Sequence, residues 1–491
     1  MQNKNELFES MPVPKALLSL ALPTIISQMI VMVYNMADTL FIGRTGDPYM
    51  VAAASLAYVL FFMLNALANL FGIGGGSLIS RLLGAGHPED AKSACAFSFY
   101  GAALAGALYS LICLLFMEPL LRLMGASDAT IAYACSYTLW VVVIGGLPAT
   151  LSLTASHLLR SEGHGKEAGF GLSLGSVLNI ALDPLLMFVI LPKGQEITGA
   201  AIATCLSNLV SLAYSLAVLY RFRKGSVLSL SLRRLRQGLR WTRDVFAVGF
   251  PSAVSSVLVC VAIMITNALA AAYGDIPVAA IGIVKKLEML PHNVGTGLCQ
   301  GMIPLAAYSY ASGNHTRLRQ TIRLTRNVGL IFTGACIVLF EALAQPLSAL
   351  FITDAETVTM TACFLRIMCL ATPLTVCCFH ATYTLQAMGK GRESMLLACC
   401  RQGVILIPLL FLMNLLFGLT GLVWTQLVAD AIIMDKARIL AVPQLEANDL
   451  DASLIHEAAI GKIAGEQIIK LMTLGLTEAE AEEQIINGFL K

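Results

Sequence analysis

The sequence predicts an all-α polytopic membrane protein of twelve transmembrane helices in two six-helix bundles, followed by a small soluble helical tail. Three observations support this fold class. Hydrophobic residues make up 57% of the 491 residues and charged residues 13%, against roughly 45–50% and 25% in soluble domains. The mean hydropathy is +0.76, and apolar stretches of about 20 residues, the length that crosses a bilayer, recur along the chain. Finally, the two halves resemble each other at a nearly constant offset.

Twelve apolar stretches are candidates for membrane-spanning helices. We place them at residues 15–37, 52–73, 95–116, 133–155, 168–190, 198–220, 247–272, 278–303, 326–345, 360–385, 395–417 and 418–433. The last stretch reaches only about 24 Å at 1.5 Å per residue. We therefore expect helix twelve to be truncated.

The basic residues of the loops predict the orientation of the chain. The loop over residues 221–246 carries eight arginines and lysines, and further basic residues, Arg160 among them, follow the even-numbered helices. The odd-numbered helices are followed by far fewer. By the positive-inside rule, we expect a multi-pass protein of the bacterial cytoplasmic membrane with both termini in the cytoplasm.

An internal repeat defines the two bundles. "LALPTIIS" at 20–27 matches "VGFPSAVS" at 248–255, which places Pro23 opposite Pro251. With six helices per copy, both copies enter the membrane from the same side, an arrangement typical of secondary transporters. The predicted domains are a first bundle, a cytoplasmic basic linker, a second bundle and a soluble C-terminal segment, at residues 1–220, 221–246, 247–433 and 434–491.

Polar residues that only the first copy carries indicate a cation site. Asp38 and Asp183 lie inside apolar helices, where an acid costs roughly 2.5–3.5 kcal/mol, and the matching positions of the second copy carry no acid. The predicted cation-coupling residues are Asp38, Asp183, Asn35, Asn179, Thr204 and Asn208. Sodium would bind at Asp38, Asp183 and Asn179. Alternatively, the acids are satisfied by neighbouring hydroxyls, and the other four residues form structural hydrogen bonds between helices.

The second half contains one polar helix of its own. Lys285, Glu288 and His292 share a face in "IGIVKKLEMLPHNVGTGL". The acid either attracts a cationic substrate or shuttles a proton, or else Lys285 and Glu288 form an internally neutralised structural pair. Gln300 and Tyr308 are further candidates for the substrate cavity.

Six segments carry a resemblance to a known family. They are "ALPTIISQMI", "YNMADTLFIGRTGD", "NLFGIGGGSLISRLLGAG", "LNIALDPLLMF", "TGAAIATCLSN" and "GLCQGMIPLAAYSY". Together they resemble the multidrug and toxic compound extrusion (MATE) family, nearest its MepA-like branch, over residues 1 to about 433. The family's acids fall on Asp38, Asp183 and Glu288.

This resemblance implies multidrug efflux by antiport, driven by H⁺ or Na⁺ and connected with antibiotic resistance. The implied partners are cationic amphiphilic small molecules and the lipid bilayer, and we expect a monomer. We expect no enzymatic activity, no cofactor beyond the coupling ion and no nucleic-acid partner. A lipid or glycolipid flippase of the same superfamily is the alternative function.

The C-terminal segment has a different character. From Met434 the composition becomes acidic and typical of soluble helices, and "HEAAIGKI" and "LMTLGLTEAEAEEQIINGFL" resemble the end of SUF-system (SufB/SufD-like) iron–sulfur scaffold proteins. That resemblance places His456 at the position of a histidine near the assembly site. The segment contains no cysteine, so we expect no cluster assembly. A fused reading frame, natural or engineered and with impaired transport, is one interpretation, and a cytoplasmic interaction module is another.

Overall fold

The computed structural model describes residues 6–222, 226–352 and 354–436, and nearly all of them are helical. The α-helices are α1 Val13–Gly43, α2 Pro48–Gly84, α3 Pro88–Leu115, α4 Met117–Leu123, α5 Ile131–Thr138, α6 Gly146–Ser161, α7 Gly165–Leu185, α8 Glu196–Phe222, α9 Leu232–Gly238, α10 Thr242–Ala271, α11 Asp275–Ala311, α12 His315–Ala349, α13 Ala355–Cys369, α14 Thr372–Ala387, α15 Gly391–Cys399 and α16 Ile407–Lys436. The predicted soluble segment, including His456, lies outside the described residues apart from its first three.

Irregular helical turns interrupt several spans. The π-helical turns are Glu6–Ser10, Leu139–Ile144, Leu186–Ile190 and Cys400–Leu406, and a 3₁₀ turn covers Leu239–Trp241. Pro184, which lacks an amide hydrogen, lies just before the π turn that extends α7. The fourth span bends by 45° between the Leu139–Ile144 turn and α6, and the tenth bends by 43° between α13 and α14.

Helix ends follow local sequence signals. Pro48 occupies the first turn of α2, and the Asp47 carboxylate caps that helix by accepting a hydrogen bond from the Tyr49 amide at 2.8 Å. Asp354 caps α13 in the same way through the Thr357 amide at 2.8 Å. Such caps satisfy amides that have no partner within the helix.

The described part of the chain forms twelve membrane-length segments. Eight helices are long and apolar enough to cross a membrane, and the number rises to ten when each bent pair counts as one further span. Residues 391–432 count once there, although the chain reverses within them. The 37-residue helix α11, which carries Lys285, Lys286 and Glu288, is not among those ten, although it packs among the other helices. Adding α11 and counting residues 391–432 as two segments gives twelve, so the predicted number of helices is confirmed.

The reversal occurs at Gly418, whose φ and ψ are +59° and −141°. This conformation favours glycine because a Cβ would clash there. Arg401 and Asp430, on either side of Gly418, form an ion pair at 2.9 Å. In one straight helix they would be roughly 43 Å apart. The last segment continues to Lys436, three residues past the predicted end, and from residue 419 it spans roughly 27 Å.

The helices form two lobes. The first lobe comprises α1 to α8 and the second lobe comprises α10 to α16. Residues 226–241 connect them along α3, where the Tyr100 hydroxyl donates to the Leu230 carbonyl at 2.7 Å and the Trp241 indole donates to Ser93 Oγ at 3.0 Å. The predicted linker therefore includes a short helix, α9, that packs on the first lobe.

The lobes make close backbone contacts at one end of the bundle, which we call the closed end. A Cβ added at Gly249 of α10 would overlap the carbonyl oxygen of Leu70 of α2, and one at Gly74 would overlap the carbonyl oxygen of Val245. Gly301 of α11 lies equally close to Ala21 of α1. All these contacts lie in the halves of their helices on the side of the loops at 85–87, 312–314 and 388–390. Only glycine permits such an approach.

The N-terminal residues 6–11 bridge the lobes at the closed end. The Phe8 ring stacks on Tyr308 with centroids 4.9 Å apart, and the Tyr308 hydroxyl donates to Glu9 Oε1 at 2.5 Å. The Arg317 guanidinium donates to the carbonyls of Leu7 and Met11 at 3.0 and 2.7 Å. Both Tyr308 and Arg317 belong to the second lobe, whereas Leu7 and Phe8 also pack at Gly163 of the first lobe.

We predict that Gly249→Ala destabilises the folded protein by about 1–3 kcal/mol, the usual cost of overpacking, because the new methyl group meets backbone that cannot rotate away. Gly334→Ala is the matched control: a Cβ on this helical glycine meets nothing within 4 Å. Apparent Tm values of the purified variants in detergent test this. Equal Tm values for the two variants would contradict the close approach at Gly249.

Candidate functional site

A cavity of about 870 Å³ separates the lobes within the membrane-spanning region. Tyr34, Asn35 and Asn179 line it from the first lobe, and Glu288 and Phe379 line it from the second. Towards the closed end its wall includes Arg160 and Gln300. The close backbone contacts between the lobes lie at that end. The cavity therefore occupies the space between the lobes beyond these contacts, on the side away from the closed end.

The predicted cation-coupling residues meet on α1, α7 and α8. Asp183 is fully buried, and Asn179, one turn before it on α7, is 1% exposed. The Asn179 amide donates to Thr204 Oγ1 on α8 at 3.2 Å. Both carboxylate oxygens of Asp183 and one of Asp38 are buried and have no hydrogen-bond partner among the described residues. No neighbouring hydroxyl among the described residues donates a hydrogen bond to any of these three oxygens.

The two acids lie behind the cavity wall. Asn35, Asn179, Thr204 and Asn208 line the cavity, whereas Asp38 and Asp183 are absent from its wall as the described residues form it. Tyr34 and Tyr137 each interact electrostatically with both acids. The structure thus brings Asp38 and Asp183 into one buried region, with the polar wall residues between that region and the cavity.

This donor set has the chemistry of a site for a small hard cation. Carboxylate, amide and hydroxyl oxygens suit such ions better than they suit soft metals. Asn179 Oδ1 is a further buried acceptor without a partner. Across the described ranges, no three or more His, Cys, Asp or Glu side chains come together in a way that could hold a metal ion. The residues present fit a proton on either acid or a sodium ion bound to oxygens.

The polar helix of the second lobe faces the cavity. Lys285 Nζ and Glu288 Oε2 form an ion pair at 2.9 Å, with the two side chains 38% and 18% exposed. The His292 ring lies edge-on to Phe379 at 5.0 Å between centroids. Lys285, Glu288 and His292 all line the cavity, so the predicted shared face points into it, and the lysine and the acid are also paired.

A second buried polar group in this lobe was not predicted. Asp430, fully buried, accepts hydrogen bonds from Arg401 Nε at 2.9 Å, Gln426 Nε2 at 3.0 Å and Thr375 Oγ1 at 2.5 Å. The Arg401 guanidinium also lies 4.8 Å from the centre of the Phe379 ring. The sequence signal was an acid within the apolar run of helix twelve, one turn after a glutamine. Its partner Arg401 lies on the preceding segment, across the reversal.

Two predicted positions differ in the structure. Gln300 lines the cavity as expected, but Tyr308 is not part of its wall as the described residues form it. Tyr308 lies two turns further along α11, at the closed end, where its hydroxyl contacts Glu9. Arg160, interpreted from sequence as a loop charge, lies in the last turn of α6 and is 3% exposed. Both Tyr308 and Arg160 are visible in the sequence as polar residues, but their positions in the structure depend on how the lobes meet.

Two repeated six-helix lobes around a cavity at membrane depth, with two acids behind its wall, define the class of membrane transporters. The MatE family model matches residues 23–185 and 251–412, one match in each lobe. The chain belongs to this family, and it is a multi-pass membrane protein. The resemblance seen in the sequence is confirmed.

Similar proteins agree with this assignment. The chain is 33% identical over 433 residues to the multidrug export protein MepA of Staphylococcus saprophyticus, covering 88% of this chain and 94% of that protein. It is 31% identical over 451 residues to MepA of Staphylococcus aureus strain MRSA252, covering 92% and 98%.

Solved structures share the fold. A multidrug resistance MATE family transporter in an outward-facing conformation superposes with a TM-score of 0.81 at 24% identity, over 88% of this chain and 95% of that one. The Vibrio cholerae MATE transporter VcmN in a bent form superposes with a TM-score of 0.77 at 23% identity, over 86% and 94%.

The C-terminal part of the chain matches a second family model. The SufBD core domain of the SUF iron–sulfur cluster assembly system matches residues 426–489. This match begins inside α16 and includes Asp430. The ion pair therefore joins Arg401, within the MatE match, to a residue of the SufBD match.

We predict that Asp430→Ala destabilises the protein by about 3–5 kcal/mol, because it leaves the buried Arg401 guanidinium without a counter-charge. The double variant Arg401→Met/Asp430→Leu recovers most of that loss, since an apolar pair leaves no charge to desolvate. Apparent Tm values of the three proteins in detergent provide the test. A single variant as stable as the parent would show that the pair is not buried as described.

Proposed function

We propose that this protein exports cationic amphiphilic small molecules by antiport with H⁺ or Na⁺. The relatives named multidrug export protein support the substrate class, since they match the chain over most of its length. The cavity supports it independently: aromatic rings such as Tyr34 and Phe379 line it together with methionines and the carboxylate of Glu288. Aromatic faces attract organic cations, and methionine adapts to ligands of varied shape.

The observation that carries the coupling proposal is that Asp183 is fully buried and that Asp38 is partly buried with one buried oxygen, Oδ1. Their unpartnered oxygens make the empty, doubly ionised state costly, because charges at membrane depth require a partner. A bound cation removes that cost. Since Asn179 connects this region to the cavity wall, binding there changes the charge that a substrate in the cavity meets.

Transport then follows from a shift between two lobe arrangements. In the arrangement that the structure shows, the two lobes are in contact at the closed end. A cation can favour it over the opposite arrangement only by binding the two with different affinities. In the proposed cycle, cation binding at the acids and substrate release from the cavity favour one arrangement, and the reverse events favour the other.

The proposed orientation places the closed end in the cytoplasm. The basic loop residues accumulate at this end, as the positive-inside rule requires. In this orientation the cavity is accessible from outside the bacterial cytoplasmic membrane, and both residue 6 and residue 436 lie on the cytoplasmic side. We propose a monomer, since each chain contains both lobes and the whole cavity.

For the segment after residue 436, we propose no part in transport and no assembly of iron–sulfur clusters. It contains no cysteine, and thiolates are the usual ligands of such clusters. Iron–sulfur binding by the full chain, measured by absorbance after reconstitution and compared with a His456→Ala variant, would overturn this proposal.

We predict that Asp38→Asn and Asp183→Asn each reduce gradient-driven ethidium efflux from proteoliposomes at least about tenfold, because losing roughly 1.4 kcal/mol of coupling has that effect. Asp128→Asn is the control: this carboxylate is 92% exposed and pairs with Arg122 away from the cavity. Efflux is measured separately under an imposed proton gradient and an imposed sodium gradient. Wild-type rates from the Asp38 and Asp183 variants would refute the assignment of the cation site.

The same vesicles distinguish the alternative function. If neither gradient drives ethidium efflux but fluorescent lipid moves between leaflets, the protein is a flippase rather than an antiporter.

We also predict that Glu288→Gln raises the KM for ethidium roughly tenfold while changing kcat less, because it removes a carboxylate from the cavity wall and leaves Lys285 unpaired. Glu356→Gln, at an exposed position in the first turn of α13, is the matched control. An unchanged KM would show that Glu288 serves only to neutralise Lys285.

A further inference from the structure

A groove lies on the first lobe at its closed end, apart from the cavity between the lobes. Its volume is about 960 Å³. The start of α3, the end of α8 and residues 226–231 of the connecting segment line it, together with Arg234 of α9. As the described residues form them, the groove and the cavity share no lining residue. The groove is therefore a separate site.

The groove lies at the depth of the lipid headgroups. Helix α3 has 28 residues and is roughly 42 Å long, which exceeds the hydrocarbon core of a bilayer by roughly 12 Å. Its first turns, which line the groove, therefore reach the headgroup layer. The connecting segment packs at this level, because a Cβ added at Gly238 would overlap the Ser93 carbonyl oxygen of α3.

Two cations of the groove converge on one carboxylate. Lys92 Nζ donates to Glu89 Oε1 at 2.6 Å, and Arg234 Nη1 donates to Glu89 Oε2 at 2.8 Å. The side chains of Lys92 and Arg234 are 27% and 29% exposed. As the described residues form it, the groove has one net positive charge. An ammonium has three donor hydrogens and a guanidinium has five, so both cations can donate to a second anion while they keep Glu89.

The rest of the groove suits an acyl chain. Leu216 and Tyr220 are exposed on α8, a helix that is apolar and long enough to cross a membrane. Leu232 of α9 and Leu239 of the following 3₁₀ turn are also exposed, and they alternate with arginines along the chain. Basic and apolar side chains mixed in this way are typical of segments that bind an anionic membrane surface.

We propose that this groove binds an anionic phospholipid. The phosphate lies between Lys92 and Arg234, and an acyl chain follows α8 past Leu216. A phosphodiester carries one negative charge, which balances the net charge of the groove, and basic pockets at the membrane surface select such headgroups. In the proposed orientation the lipid belongs to the cytoplasmic leaflet. The lipid would hold the connecting segment, and through it the first lobe, at a fixed depth.

Two phospholipids with the same acyl chains test the proposal. Dioleoyl phosphatidylglycerol is an anion, and dioleoyl phosphatidylcholine is a zwitterion. Native mass spectrometry of the delipidated full chain gives the apparent dissociation constant of the first bound lipid. We expect phosphatidylglycerol to bind about tenfold or more tightly than phosphatidylcholine. We expect Lys92→Gln/Arg234→Gln to reduce this preference to less than about twofold.

Arg319→Gln/Arg323→Gln is the matched control. It removes two exposed cations from α12 of the second lobe, towards the same end of the bundle, and so changes the net charge by the same amount. All variants are first checked for an intact thermal transition in detergent. We expect the control to keep the preference. An equal loss in both double variants would show an effect of overall charge and would overturn the site. A wild-type protein without the preference would overturn it too, as would a Lys92→Gln/Arg234→Gln variant that keeps it.

A third variant distinguishes a lipid from a free phosphate group. Ala217 is exposed on α8 and lines the groove, so Ala217→Trp fills the space for an acyl chain without any change of charge. We expect it to weaken phosphatidylglycerol binding about tenfold. Unchanged binding would show that the groove holds the phosphate group alone, and the assignment of a lipid would be wrong.

These measurements do not depend on transport. If ethidium efflux fails while the lipid preference depends on Lys92 and Arg234, only the proposed export function is wrong. If ethidium is exported while the wild-type protein shows no lipid preference, only the lipid site is wrong.

Discussion

The contact between the two lobes through glycine backbone at the closed end is the constraint on which the rest of the structure depends. Gly249 lies against the Leu70 carbonyl and Gly301 against Ala21, at distances that no side chain permits. The helices approach this closely at one end and are bent by prolines and π turns along their length. They therefore leave space between the lobes away from the closed end. That space is the cavity, and it lets polar side chains exist at membrane depth without facing lipid.

The two lobes treat their buried charges differently. In the second lobe two acids at or beside the cavity have cationic partners: Glu288 pairs with Lys285, and Asp430 pairs with Arg401. In the first lobe Asp38 and Asp183 retain buried oxygens without partners. A paired charge holds two helices together, whereas an unpaired one remains available to a ligand. The repeat therefore preserves the helical frame in both halves and divides structural and binding chemistry between them.

Much of the fold could be predicted from sequence because its signals are local. Apolar runs show the spans, and the match of Pro23 to Pro251 shows the repeat. The boundary between the last two helices was placed at Gly418, where the chain does reverse. The residues around Asp38 and Asp183 could be recognised because an acid within an apolar run is unusual on its own.

The unpredicted parts depend on contacts between distant segments. Arg401 and Asp430 meet only because the reversal at Gly418 fixes the register of two antiparallel segments. Tyr308 shares a helix with the cavity residues, but whether it faces the cavity or the N-terminal residues depends on where the lobes touch. Arg160 was interpreted as a loop charge because it lies close to a helix end, whereas it is buried and donates a hydrogen bond to Gln300 on α11 of the other lobe.

The reversal at Gly418 has a further consequence for the topology of the chain. If residues 391–432 were one crossing, the twelve segments would become eleven, an odd number, and the two ends of the described chain would fall on opposite faces of the membrane. With the reversal the parity is even. The last segment therefore returns towards the face from which α1 begins. Asp430 on this segment pairs with Arg401, and Arg401 lies ten residues after Gly391, which is at the closed end. The backbone conformation of one glycine thus determines on which face of the bundle α16 ends.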